Sequence, residues 1–362
     1  MVTSNLISRG SASRTSARRR LIATVVYLLA LASAAAGLCG CGLAAGVVSN
    51  AELTIYNGQH PQTTDALVAA FTKQTGIKVQ VESNDEDTLA AQLEQEGSRS
   101  PADIYYTENS NWLALVDQEG LLEKVDPATL ANIPVQDSAA DHDWVGVTAR
   151  VSCLIYNTRE VKVADLPSSI LDLAQPDWVG KVGVDSGETD FWPLVDSVFR
   201  SGGRTATINW LKRLDFNAGG NVHIPDNETL TNDVNAGVIA IGVINQYYYY
   251  RLMAEIGKQA MHSRIAFFAP RDPGYVEDVS GAAVLRSAKH KQAAQEFLRF
   301  MTSAQGQSVI AGSESFEYPL HPGVPASPEL VPLDKLAPAH FTPAELGTGA
   351  VGEQLLEQAG LL

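Results

Sequence analysis

The sequence predicts an α/β chain folded as two lobes, with mixed, mostly parallel sheets and a hinge between them. Two observations carry this. Strand-like segments alternate with helix-like segments along most of the chain, the pattern of sheets whose strands are joined by crossovers. The chain is also 362 residues long, and even without a leader it exceeds what one hydrophobic core usually holds.

The leader comes first. Residues 1–20 carry Arg9, Arg14, Arg18, Arg19 and Arg20 and no acid, and Leu21 to Leu38 are almost wholly apolar. This is an export signal, followed too closely by a processing site to read as a membrane span. In "LCGC" the leucine three residues before a cysteine matches a lipoprotein pattern in which Cys41 becomes the lipidated first residue. Residues 1–40 are therefore expected to be a signal peptide and 41–50 a tether. The arginine run "ARRRLI" fits export by either the Sec or the twin-arginine route.

Removing the five leader arginines moves the formal charge from −15 to −20. Nucleic acid is an unsuitable partner for such a chain, because phosphate binding needs clustered Lys and Arg. Cys153 in "VSCLIYN" is left with no disulfide partner and reads as a small buried hydrophobe.

The elements follow in order. "ELTIYNG" alternates and breaks at glycine, as a strand does, and "TTDALVAAFTKQTG" places Leu67, Ala70 and Phe71 at helical spacing with Gly76 as its stop. "IKVQV" is a strand, "DEDTLAAQLEQEG" a helix, "ADIYYT" a strand and "NSNWLALVDQEG" a helix. Further on, "GKVGVDSGETD" reads as a strand entering a loop, "ATINWLKRL" as a helix, and "NETLTNDVNAG" as a helix with Asn227 at its N-cap. "VIAIGVIN" is a fully buried strand, "AFFAP" and "SGAAVL" are further strands, and "KHKQAAQEFLRFMTS" puts Ala294, Phe297, Leu298 and Met301 on one helix face. A short amphipathic helix, "GEQLLEQAGLL", closes the chain. An exported chain of this kind is expected to be a solute receptor, with its ligand at the carboxyl ends of strands.

Three strand ends carry unusual polar groups: "YNGQH" with His60, "YYTEN" with Glu108, and "INQYYYY" with Tyr247 onward. A phenol has a pKa near 10 and gives up its proton at neutral pH only to a strong Lewis acid. Ferric ion is hard enough, and two phenolates with one carboxylate would match its three charges. Adjacent tyrosines on a regular strand point to opposite faces. Two neighbours can share a metal only if the strand ends there and the chain turns. Ser186 and Gly187 lie at a strand-to-helix turn whose N–H groups suit an anion, with Asn227 and Asn245 as further contacts.

These residues resemble the ferric-ion-binding periplasmic proteins of ABC transporters, the bacterial transferrins, within the type II periplasmic-binding-protein superfamily. The resemblance spans Glu52 to Leu362 and rests on "YNGQH", "PADIYYTEN", "ARVSCLIYN", "NAGVIAIGVINQYYYY", "SGAAVLRSAKHKQAAQEFLRFMTSAQGQ" and "EYPLHPGV". It implies a hinged two-lobed fold, residues 51–150 and 278–328 forming the amino-terminal lobe and 151–277 and 329–362 the carboxy-terminal lobe. It implies Fe3+ as the transported ligand, with phosphate or carbonate as a synergistic anion. By position, His60, Glu108, Tyr247 and Tyr248 are similar to the family's iron ligands. Ser186, Gly187, Asn227 and Asn245 are similar to its anion pocket, and Arg150 in "TARVS" is a reserve contact for the anion. Tyr249 and Tyr250 fall to the packing behind the site. Glu188 departs from the pattern, since a small residue usually stands there and a negative charge would oppose phosphate. The implied partners are a membrane permease and its ATPase, for a monomer anchored by lipid on the outer face of the cell membrane.

Enzyme signals fail. "DSG" occurs once, and no G-x-S-x-G, H-E-x-x-H or Walker loop is present. "DHDW" reads as a solvated acidic turn. The rival reading is a receptor of the same fold for a phosphonate, polyamine or thiamine-like solute, in which the tyrosines would stack on the ligand.

Overall fold

The computed structural model describes residues 53–219, 224–339 and 341–362. The expected signal peptide, tether and Cys41 lie outside them.

Strand β1 (Leu53–Gly58) runs between β2 (Val79–Ser83) and β3 (Ile104–Thr107), parallel to both. Helices α1 (Pro61–Thr75) and α2 (Glu86–Glu96) return the chain between them, as parallel pairing requires. Helix α1 stops at Gly76, whose φ of 78° is the left-handed conformation that ends a helix without steric cost. Helix α3 (Ser110–Gln118) follows β3.

Two long strands then tie the molecule together. Strand β5 (Val145–Asn157) is buried at all 13 positions. Its first half pairs antiparallel with β9 (Glu277–Leu285), which itself pairs antiparallel with β3. Its second half pairs with β7 (Ile241–Asn245) on one side and β8 (Ser263–Ala266) on the other. The two-residue strand β6 (Val182–Gly183) runs parallel to β7. One lobe is thus built on β2-β1-β3-β9 and the start of β5, the other on the end of β5 with β7, β6 and β8.

Helices cover both sheets. Helix α4 (Trp192–Ala218) is longer than the segment expected from sequence, and bends at Gly203, where φ is 74° and ψ is 170°. Helix α5 (Asn227–Ala236) is capped by Asp226, whose carboxylate accepts from the Thr229 N–H at 2.6 Å. Asn227 is the first helical residue and not the cap, because the aspartate before it already holds the orphan donor. Helix α6 (Gln246–Ile256) begins directly after β7. The expected strand "AFFAP" lies earlier, as β8: pairing with β5 ends at Ala266, and Phe267 leaves the sheet to stack on Tyr275. Helices α7 (Lys291–Thr302) and α8 (Ala304–Ala311) back the first sheet, where Phe297 meets Phe71 of α1 edge-on at 4.9 Å. The closing helix α9 (Ala350–Ala359) packs on α4.

Candidate functional site

The carboxyl ends of β1, β3 and β7 converge on one place. After β1, the Asn57 side chain grips the Gln59 carbonyl at 2.7 Å and accepts from Thr64 Oγ1 at 2.7 Å, which fixes the loop that presents His60. Gly58 is required there, since a Cβ would stand 2.6 Å from Glu86 Cβ. That close approach lets Glu86, at the start of α2, reach under β3. Its carboxylate accepts from the backbone N–H of Glu108 (3.0 Å) and Asn109 (2.9 Å), from Asn109 Nδ2 (2.7 Å) and from Thr189 Oγ1 (2.7 Å). Glu86 therefore orients Glu108 and bonds to the short turn ahead of α4. Burial and Glu108 push its pKa up to about 8, against the pull of its donors.

The tyrosines are set by a glutamine. Val151 is where β5 changes partners, and its N–H is taken by Gln246 Oε1 at 2.7 Å, while Gln246 Nε2 donates to the Phe316 carbonyl at 3.0 Å. The chain turns into α6 at that residue. Tyr247 and Tyr248, next in line, consequently share a face, their ring centroids 4.2 Å apart.

Both hydroxyls meet carboxylates. The Tyr247 hydroxyl lies against Glu108 Oε1 and 3.0 Å from Asp190 Oδ2, and the Tyr248 hydroxyl donates to the same Asp190 oxygen at 3.0 Å. His60 Nδ1 is 3.2 Å from Glu108 Oε2, its Nε2 is buried without a partner, and its ring stands edge-on to Tyr247 at 5.2 Å. Burial first, then Asp190 and Glu108, hold both phenols well above their ordinary pKa. Each is a protonated donor that loses its proton only to a cation. Burial raises Glu108 as well, with Arg150 and Tyr247 opposing. Burial and Glu108 push Asp190 up to about 6.

The cleft in front of these groups encloses about 800 Å³. Eight of its twenty lining residues are Asp or Glu and none is Lys or Arg. Burial, followed by Asp190 and Glu108, pushes Glu188 up to about 9, and burial pushes Glu228 to about 7 and Asp185 to about 6. Glu86 and Glu188 are thus held mostly protonated at neutral pH, in a wall that disfavours further negative charge and that a bound cation would help to ionise.

The structure brings His60, Glu108, Tyr247 and Tyr248 together. It does not gather the five anion candidates around one open space. Gly187 lines the large cleft. Asn227 and Asn245 face a separate cavity of about 10 Å³, shared with Asp185 and Asp190. The Ser186 hydroxyl donates to the Leu361 carbonyl at 2.9 Å. Arg150 is fully buried and faces carboxylates: Glu317 at 2.8 Å, Glu108 at 3.4 Å and Asp190 at 3.7 Å. Burial disfavours its charge, but Glu108 and Glu317 keep it firmly protonated. Tyr250 is buried and stacks on Phe316 at 5.9 Å, and Tyr249 packs edge-on to Tyr250.

Sequence reasoning missed Asp190. It sits in the one-turn helix Thr189–Phe191, outside any periodic pattern. The signal that could have found it was the density of acids in "DSGETD". Elsewhere, Asp117, Asp141 and Asp143 gather within 4.8 Å, and Lys124 Nζ neutralises Asp143 at 2.7 Å.

A sequence profile of the family described as bacterial extracellular solute-binding protein matches residues 57–308. The chain is 38% identical over 310 residues to an Fe(3+)-binding periplasmic protein of Serratia marcescens, covering 86% of this chain and 90% of that one. It is 35% identical over 329 residues to the major ferric iron-binding protein of Neisseria meningitidis serogroup B, covering 90% and 97%. Its fold is similar to the crystal structure of iron-bound HitA from Pseudomonas aeruginosa, with a TM-score of 0.81, 38% identity and coverage of 85% of this chain and 99% of that one.

Proposed function

We propose, from the premise that the chain belongs to the bacterial extracellular solute-binding proteins alongside ferric-ion-binding relatives, that it captures Fe3+ in this cleft for an ABC importer. The observation that carries the reading is two adjacent buried phenols whose hydroxyls both meet carboxylates. Tyr247, Tyr248 and Glu108 are the anionic ligands and His60 the neutral one. Ferric ion displaces the phenol protons, and its charge answers the carboxylates that surround it.

Capture and delivery use the two lobes. His60 and Glu108 come from strand ends of one sheet and the tyrosines from the other, so closing the lobes completes the site and opening them breaks it. The leader pattern supports Cys41 as a lipid anchor that keeps the loaded protein beside its permease. Cys41→Ala should move the protein from the membrane fraction to the soluble one; unchanged fractionation would remove the anchor from the account. A phosphonate would meet a wall of eight Asp and Glu residues with no Lys or Arg to receive it, whereas a polyamine suits that wall.

The experiment uses the chain without residues 1–40. Addition of a ferric chelate should produce a visible tyrosinate-to-iron charge-transfer band, absent from the Tyr247→Phe, Tyr248→Phe double variant. A colourless native protein that binds spermidine would establish the polyamine reading instead.

A further inference from the structure

We propose that Asp190 supplies from the chain itself the anionic oxygen that would otherwise come from phosphate or carbonate, so that this site holds ferric ion without an anion from solution. The inference rests on the ferric reading of the same cleft.

Geometry argues first. Tyr247 and Tyr248 do not merely lie near Asp190; both hydroxyls are 3.0 Å from one oxygen, Oδ2. A small hard cation that binds oxygens octahedrally at about 2.1 Å spaces neighbouring ligand oxygens about 3 Å apart. Each phenol oxygen thus already stands from Oδ2 at the spacing of neighbouring ligands on one ion. Asp190 is only 9% exposed, and its other oxygen, Oδ1, is buried without a hydrogen bond, its nearest charged contact being Arg150 at 3.7 Å.

Space argues the same way. Asn227 and Asn245, the expected anion contacts, surround about 10 Å³ together with Asp185 and Asp190. That is roughly the space of one water molecule, too little for a phosphate. The carboxylate of Asp190 already stands at the edge of that space.

Charge settles the preference between the two sources. Two phenolates, Glu108 and Asp190 would bring four negative charges to an ion with three positive ones, and Arg150 lies within 3.7 Å of both carboxylates to offset the excess. A phosphate would add negative charge beside Glu188, Asp185 and Glu228, with no Lys or Arg on the cleft wall to receive it. Asp190 also has a fixed seat: Thr189 before it donates to Glu86, and Phe191 after it stacks on Trp210 at 6.3 Å.

The test delivers iron as ferrous chloride, oxidised in carbon-dioxide-free oxygen in a buffer free of phosphate and carbonate. The native protein should develop the tyrosinate band, and added phosphate or bicarbonate should change the apparent Kd by less than about threefold. Asp190→Asn should bind about 10–100-fold more weakly in that buffer, the range for loss of a group that tunes a metal site, and added phosphate should not restore it, since asparagine leaves the space as small as aspartate does. A native protein that colours only when phosphate or bicarbonate is present would overturn the proposal, whether or not the variant folds. So would Asp190→Asn binding within threefold of native. No band under any condition would overturn the ferric reading itself, a result distinct from anion dependence.

Discussion

Arg150 shows how tightly the residues of this site depend on one another. It has no exposure to solvent; its partner Glu317 is buried with it and its partner Glu108 is nearly so. Arg150→Met should destabilise the fold by about 3–5 kcal/mol, the usual cost of leaving a buried charge unpaired, read as a lower denaturant midpoint with unchanged slope. An unchanged midpoint would mean that Glu317 finds another partner or a proton. Of the residues around Arg150, those at strand ends were legible in the sequence. His60, Glu108, Tyr247 and Tyr248 each follow a strand with a clear pattern, so chemistry and position could be read together. Asp190 and Glu86 were not, because one sits in a single turn and the other projects from a helix start under a neighbouring strand. Their importance comes from contacts 103 residues apart in the chain, such as Thr189 to Glu86.

At the scale of elements, the junction between β7 and α6 decides whether two neighbouring tyrosines can cooperate. Gln246 makes that junction by satisfying the Val151 N–H and donating to the Phe316 carbonyl. Gln246→Ala should cost about 1–3 kcal/mol for the buried groups it strands, and should weaken iron binding although Gln246 touches no metal. Full stability with weakened iron binding, or the reverse, would show that Gln246 has only one of these roles. The buried strand "VIAIGVIN" and its exit were legible because an apolar run ended abruptly in polar and aromatic residues. Helix α4 was only half legible, since Gly202 and Gly203 interrupt its helical pattern just where it bends. The two-residue strands β4 (Leu122–Glu123), β6 and β10 (Tyr318–Pro319) carry too few residues for any period to show.

At the scale of the whole molecule, two lobes and a carboxylate-lined cleft predict opposite responses of the empty and loaded protein to pH. In the empty protein Glu86, Glu188 and Glu228 have pKa values raised to about 8, 9 and 7, chiefly by burial. A carboxyl raised above its unfolded value contributes stability that is present at low pH and lost as pH rises through the folded value. The iron-free protein should therefore melt at lower temperature at pH 9 than at pH 6. Iron affinity should run the other way, since each proton displaced by the metal adds about tenfold per pH unit. Parallel trends would contradict the assignment of the cleft as the metal site. The alternation that announced an α/β fold was legible from the first hundred residues, whereas the antiparallel course of β5 and β9 was not. Their pairing joins segments more than a hundred residues apart, and only tertiary packing chooses it.

The central claim is that one ferric ion is held by Tyr247 and Tyr248 between the lobes. A crystal structure of the iron-loaded protein, with anomalous data collected at the iron edge, tests it most directly. The account predicts a single strong peak within about 2.1 Å of both tyrosine hydroxyl oxygens, with Glu108 and Asp190 oxygens in the same shell. A peak at Asp117, Asp141 and Asp143, or none within bonding reach of the two tyrosines, would contradict it.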